Sequence, residues 1–486
     1  MIIKRSIIVL LLLAVVSSLT GCRTLRAPSD FSDDWTPPKW VKAAKSKDKV
    51  WADIRAQERE VDVSKPLSVY ELCEIALGNS PSTRQAWETA RAAEAQKMQA
   101  QSAWYPKGTL ATEIKREEIA SSNDLNDNNF FQTSPSAAVS YLLFDFGGRM
   151  ARVNGANQTL LAKDFLFNQS VQDLIRDVAK NYYELFSAKS SVIAAQADVD
   201  NAKTVFDAAD QKFKAGVVSK LDVLQASSSY YSLLYSLEGA KGQVKTTQAN
   251  LATVVGLPAD TKYAIQEPSK ELKAYLSKRN VSELIGKALY FRADVAAAKA
   301  NVRAKEQAVW AANSDLWPSV NYQAGVTRDL YRQYNNEKHY ADDYDYVPAG
   351  VTVTWDVFDG FNNLNKKRQA QAELRNEREK LRQTELAASA DVWIKYYNYQ
   401  TAIKKIKAST ANLEASSSSY DLALEGYKAG LKSMLDLIQA QTDLSRARNE
   451  VIQAKKDMFT SLVELVHSIG AISAKDARKA AREMSK

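Results

Sequence analysis

The chain nearly copies itself. Residues 211–226 read QKFKAGVVSKLDVLQA and residues 425–440 read EGYKAGLKSMLDLIQA, so Gly430 follows Gly216 by 214 positions. LFDFGG at 143–148 and VFDGFN at 357–362 keep that spacing, with Asp359 214 positions after Asp145. ELCEIAL at 71–77 matches ELIGKAL at 283–289, and Trp-Tyr-Pro at 104–106 is answered by Leu-Trp-Pro at 316–318. Four anchors in one order define a tandem duplication, with a period too long for a solenoid. Any fold for this chain has to be built twice.

The first repeat runs over 67–256, the second over 281–470, and a linker at 257–280 carries Pro258 and Pro268. Each repeat opens with a helical segment that ends at a proline (67–104, 281–316). Two strand-like segments follow, and then a Gly- or Asn-containing turn leads into a very long Pro-free pattern (147–215, 361–429). If continuous, each long helix spans ~100 Å at 1.5 Å per residue. Helices of that length survive only when packed side by side. Gly216 and Gly430 suit helix C-caps, and Ser219 and Ser433 suit the N-caps of the next helices, so sharp tips are expected at 214–222 and 428–436.

Strands are expected at about 109–118, 136–145, 319–329 and 347–358. The last alternates Val347, Ala349, Val351, Val353, Trp355 and Val357 against Pro348, Gly350, Thr352, Thr354, Asp356 and Phe358. The third alternates Val320, Tyr322, Ala324 and Val326 against Asn321, Gln323, Gly325 and Thr327. Period two gives one apolar face. Each segment is near the ~9–11 residues of a tilted membrane-spanning strand, and polar loops link them. Alternation alone also fits soluble hairpins with one face on a core. Four strands do not close a barrel, and an open sheet in lipid leaves its edges unpaired. Strands placed in a membrane therefore require several chains to share one wall.

The N-terminus bears on compartment. MIIKR followed by SIIVLLLLAVV has the length of a signal-peptide core, short of the ~20 residues of a spanning helix. Leu19-Thr20-Gly21-Cys22 fits a lipoprotein box, so residues 1–21 are expected to be a leader and Cys22 the lipidated first mature residue, with acyl chains such as palmitate as the tether. Arg23 in place of Asp favours the outer membrane. Residues 22–66 read as an extended arm and 471–486 as a basic tail. The formal charge is +8, and removing Lys4 and Arg5 with the leader leaves +6. The basic residues are interspersed with acids, which gives no nucleic-acid patch. Mean hydropathy of −0.36 excludes a polytopic helical membrane protein.

Groups for chemistry are sparse. The two histidines, His339 and His467, assemble no catalytic or metal set. Cys73, on an apolar helical face, reads as packing. No phosphate loop is present, and neither a cofactor nor an enzymatic activity is expected.

In its order of anchors the chain resembles the TolC-type outer-membrane efflux proteins, in their lipidated branch, over residues 67–470. The resemblance rests on the duplication, on LFDFGG and VFDGFN at strand-to-helix turns, on the paired KAG tips and on SPSTRQAWETARAAEAQKMQAQSAWYP before the first hairpin. It implies a mainly α fold with a small transmembrane β part: a homotrimer whose four strands per chain make a shared 12-stranded barrel above a periplasmic helical tunnel. The apolar face of 347–357 would then meet lipid, with Thr352, Thr354 and Asp356 turned to the pore. It implies a passive, gated exit channel, with a periplasmic adaptor and an inner-membrane pump as partners. On the KAG register the gate residues fall on Asp222, Tyr427, Lys432, Asp436 and Gln439. Lys432 stands where closed gates often carry Arg, and Gln439 replaces an acid, so a looser and less cation-selective gate is expected. Asp222 and Asp436 also lie where carboxylates simply cap helices. The alternative reading is a lipid-anchored periplasmic coiled-coil scaffold or adaptor with soluble hairpins.

Overall fold

The computed structural model describes residues 65–119, 128–267, 280–334 and 339–470. The leader, Cys22, nearly all of the arm and the tail beyond residue 470 lie outside them. The helices are α1 (Val69–Asn79), α2 (Pro81–Gln101), α3 (Gly148–Lys214), α4 (Lys220–Val255), α5 (Val281–Phe291), α6 (Ala293–Ser314), α7 (Asn362–Lys428) and α8 (Met434–Ser468). The strands are β1 (Lys107–Ile119), β2 (Asn128–Phe144), β3 (Ser319–Tyr334), β4 (His339–Tyr346) and β5 (Ala349–Thr354).

The two long helices, α3 and α7, are unbroken over 67 residues each. That is ~100 Å. Both are released from the strands by the same device. Asp145 Oδ2 accepts the Arg149 N–H at 2.5 Å, and Asp359 Oδ2 accepts the Asn363 N–H at 2.8 Å. Both turns use two successive left-handed residues, Phe146–Gly147 in one repeat and Gly360–Phe361 in the other.

The expected helical segments before the strands are each split in two. Pro81 has no N–H and forces Ser80 into an extended conformation, which ends α1 and starts α2. Arg292, with no proline near it, makes the corresponding break while its guanidinium bridges Asp294 and Asp391. The split has a purpose in packing. A Cβ on Gly256, just past α4, would lie 3.0 Å from the Asn79 carbonyl oxygen, and one on Gly470 would lie 3.0 Å from that of Phe291. The C-terminal ends of α4 and α8 thus abut the breaks at Ser80 and Arg292. Each long helix is flanked along its length by a shorter pair, and α3 also packs against both α6 and α8. Where α3 meets α6 the residues are small: Ala162, Ala297 and Ala300 are buried, and Gly155 lies beside Gln307.

The linker begins pinned to the bundle. Leu67 pairs with Ile265, and the Tyr182 hydroxyl donates to the Gln266 carbonyl at 2.5 Å. Residues 268–279 lie outside the described set.

The sheet is antiparallel in the order β1-β2-β3-β4, and β5 pairs with the near half of β3. Of the strand expected at 347–358 only Ala349–Thr354 forms, as β5, while β4 lies in the polar stretch expected to be a loop. Pro348 lacks a ladder donor, its carbonyl accepts the Gly325 N–H at 2.9 Å, and the chain ahead of it pairs on as β4. Residues 355–358, expected in the strand, lie beyond it. β2 and β3 also reach farther into the polar loops than expected, because they pair with each other as far as Asn129 and Tyr334. The sheet's two outer edges, β1 and β4–β5, pair with no other described strand.

Candidate functional site

Two regions are the candidates for function, the sheet and the helical tips. Register places Leu110 beside Ala137, Ala137 beside Val326, Tyr141 beside Tyr322 and Tyr322 beside Val351, all on one face. That face is bare: Leu110 is 82 %, Ile114 65 %, Val351 59 % and Val353 64 % exposed. The other face carries Ser136, Ser140, Asn321, Gln323, Thr327 and Thr352. The apolar stretch from Val320 to Val326 spans ~20 Å. On one side it stops at a charged cluster in which Asp343 accepts from Arg328 at 3.3 Å and Arg332 at 3.1 Å. On the other it ends in exposed aromatics at the strand-to-helix junction: Phe144, Phe146 stacked on Trp317 at 5.4 Å, Trp355, Phe358 and Phe361. An apolar band bounded by aromatics is the outer surface of a membrane barrel, where amphipathic rings sit at the headgroup level.

At the far end, α3 and α7 stop in matched Schellman turns. The Val217 N–H reaches the Lys212 carbonyl at 2.9 Å and the Leu431 N–H reaches that of Gly426 at 2.7 Å, with Gly216 at φ +75° and Gly430 at φ +78°. Ser219 with Asp222, and Ser433 with Asp436, form capping boxes that start α4 and α8. Asp436 is held below the usual carboxylate range, first by hydrogen bonds from the Ser433 hydroxyl and backbone and then by nearby Lys432.

The five residues expected at the gate share this tip but do not all touch. Asp222 and Asp436 each accept the cap N–H of their helix on Oδ2. Tyr427 is buried in a core with Val205, Ala209, Met434 and Leu437, and its hydroxyl has no described hydrogen-bond partner. Burial, and secondarily the charge of Asp222, raises that hydroxyl's pKa. The Lys432 stem lies over Gly426, where an added Cβ would sit 2.8 Å from its Cγ. Gln439 donates to Asp443 at 3.1 Å, and Asp443 also accepts from Arg446. An acid thus stands one turn beyond the position where the resemblance lost one.

One contact escapes the sequence. Lys212 Nζ donates to the Tyr427 carbonyl and sits 4.5 Å from the centre of its ring. Nothing in the KAG register flags it, because its counterpart 214 positions on is Gly426. His467 lies 2.8 Å from Asp173 Oδ1, and Arg176 donates to the same oxygen. Cys73 is buried, and desolvation, with a smaller contribution from Glu74, pushes its thiol up to about 12. No group of acids, histidines and cysteines that would hold a metal occurs among the described residues.

A chain that ends a bare-faced, open-edged sheet on ~100 Å helices is of the class that lends one section to a shared membrane duct. The chain belongs to the outer membrane efflux protein family, whose model matches residues 72–257 and again 284–471, one match per repeat. It is an outer-membrane protein with helices extending into the periplasm. It is 25% identical over 343 residues to Protein CyaE of Bordetella pertussis, covering 71% of each chain. To the pyoverdine export outer membrane protein OpmQ of Pseudomonas putida it is 26% identical over 399 residues, covering 79% of this chain and 80% of that one. The solved outer-membrane channel OprN has the same fold, with a TM-score of 0.72 at 20% identity, over 83% of this chain and 90% of the other.

Proposed function

We propose that this protein is the exit duct of a tripartite efflux assembly, a passive and gated conduit formed by three copies. The observation that carries this reading is the sheet with a bare apolar face and two unpaired edges. In lipid such a sheet persists only if its edges pair with further copies, and three copies supply enough strands for a closed wall. The helices agree. Along the distal half the packing order is α4, α3, α8, α7, and the two flanking helices carry exposed apolar stripes: Leu221, Leu224, Tyr231 and Tyr235 on α4, and Leu386, Trp393, Tyr397 and Leu422 on α7. Stripes of this kind are covered when α4 of one copy meets α7 of the next.

Cys22 would anchor the chain by its acyl groups, and the tips at Gly216 and Gly430 would receive a periplasmic adaptor linked to an inner-membrane pump. Asp222, Tyr427, Lys432, Asp436 and Gln439 would line the entrance, with Tyr427 acting through its ring and its carbonyl. Transport itself requires no bond-making by the duct, whose role is to offer a water-filled path.

The mass of detergent-extracted protein, by light scattering corrected for bound detergent, tests this. Three chains per particle, and channels in a planar bilayer, are expected. A stable monomer would overturn the reading.

A further inference from the structure

The two repeats match closely at the tip, and they differ where the hairpins face each other. In register, Lys212-Phe213 of the first repeat corresponds to Gly426-Tyr427 of the second, and Val218 corresponds to Lys432. The caps, turns and boxes between these positions are the same in both repeats. The substitutions therefore serve something other than the turn. Phe213 is exposed, whereas Tyr427 is buried between the hairpins. Lys212, half-buried on α3, reaches from the first repeat to the last turn of α7 in the second. There it donates to the Tyr427 carbonyl and lies against its ring. That carbonyl, which also accepts the Gly430 N–H at 3.1 Å, lies in the last turn of α7, where the negative end of the helix dipole favours a cation. Gly426, the counterpart of Lys212, makes room for the Lys432 stem on the same turn.

From this broken symmetry we infer that Lys212 is the clasp that holds the two tip hairpins of each protomer together, and that closure of the entrance depends on it. No hydrogen bond from the Tyr427 hydroxyl to Asp222 joins the hairpins, since that hydroxyl is unpartnered among the described residues. Lys212 is a positioning residue: it acts by fixing the last turn of α7, from which Lys432 and Asp436 follow.

The inference rests on the gated-duct reading, and planar-bilayer conductance separates the two. Lys212→Met keeps the aliphatic stem and removes the donor and the charge. Loss of one charge-assisted hydrogen bond with its ring contact should raise time-averaged conductance about tenfold or more. Lys212→Arg should restore the closed state, because guanidinium keeps both contacts. Lys241→Met, which loses only an exposed pair with Glu238 away from the tip, should behave as wild type. Light scattering on each variant identifies any that fails to assemble. For such a variant, Tyr427→Leu replaces Lys212→Met and should open the channel through loss of the ring. Conducting wild-type channels that Lys212→Met leaves unchanged would overturn the clasp alone. Trimers that never conduct, in any variant, would overturn the duct and the clasp with it.

Discussion

Asp198 on α3 and Arg448 on α8 form an ion pair that ties the first repeat to the second, with Asp198 buried and its other oxygen accepting a 2.6 Å bond from Ser445. Removing one partner leaves an uncompensated charge in a packed helix interface, which costs about 3 kcal/mol. Asp198→Ala should therefore melt well below wild type in detergent, followed by circular dichroism. Asp198→Leu combined with Arg448→Met should recover most of the loss, because a well-packed apolar pair needs no counter-charge. Equal melting of Asp198→Ala and wild type would show that the pair contributes nothing.

Tyr427 makes a sharper test of the tip. Its hydroxyl is buried without a described partner, while its ring packs in the core and its carbonyl takes the Lys212 donor. Tyr427→Phe should therefore change stability by less than about 1 kcal/mol, whereas Tyr427→Ala should cost about 3–5 kcal/mol through the cavity it leaves. A large loss in the Phe variant would mean that the hydroxyl has a partner in the assembled duct.

Much of this was legible in the sequence because the chain is written twice. The offset from Gly216 to Gly430 and from Asp145 to Asp359 gave the turns, and the Pro-free runs gave the long helices to within a residue. The contacts between repeats were not legible. Lys212 with Tyr427, Asp198 with Arg448 and Asp173 with His467 join residues more than two hundred positions apart, and they break the repeat rather than follow it. Periodicity reports faces; it does not report which neighbour a face meets. β4 was missed for a related reason: His339–Tyr346 is polar and reads as a loop, and only its pairing with β3 makes it a strand.

Gly148, the first residue of α3, is where the helix meets the end of α6. A Cβ there would lie 2.1 Å from Ser314 Oγ and 3.0 Å from Ser314 Cβ. Gly148→Ala should cost about 1–3 kcal/mol by overpacking. Ser314→Gly in the same chain removes these two atoms, leaves Asp145 Oδ2 at 3.1 Å, and should relieve most of that cost. Thermal melts of the single and double variants decide it, and a double variant no better than the single would point to the backbone of α3 instead.

Asp164 sets a pH dependence. Burial on α3, reinforced by the charge of Glu94 and opposed by Lys97, raises its carboxyl from 3.8 to about 7. The folded state then holds a proton that the unfolded chain releases. Folding takes up that proton between the two values, so this group's contribution to stability falls as pH rises from about 4 to about 7 and is level above that. Asp164→Asn should flatten the melting temperature across that window and leave the protein more stable than wild type at pH 8. The same slope in the variant would assign the dependence to another group.

The two faces of β5 differ in polarity, as a lipid side and a pore side would. Val351 lies beside Tyr322 on the apolar side, and Thr352 beside Asn321 on the polar side, one residue apart in the chain. A cation on the lipid side of a barrel strand costs about 2–4 kcal/mol near the membrane midplane and recurs in every copy, whereas a cation on the lumen side stays in water. Val351→Arg should therefore deplete assembled protein from the outer membrane. Thr352→Arg should assemble normally and shift the channel's ion selectivity towards anions, read as the reversal potential under a salt gradient. If the sheet were a soluble hairpin packed on a core through its apolar face, Val351→Arg would instead unfold a protein that comes off membranes without detergent. Normal assembly of Val351→Arg together with loss of Thr352→Arg would reverse the facing of the whole sheet, because its period of two gives every residue the side opposite to its neighbour's.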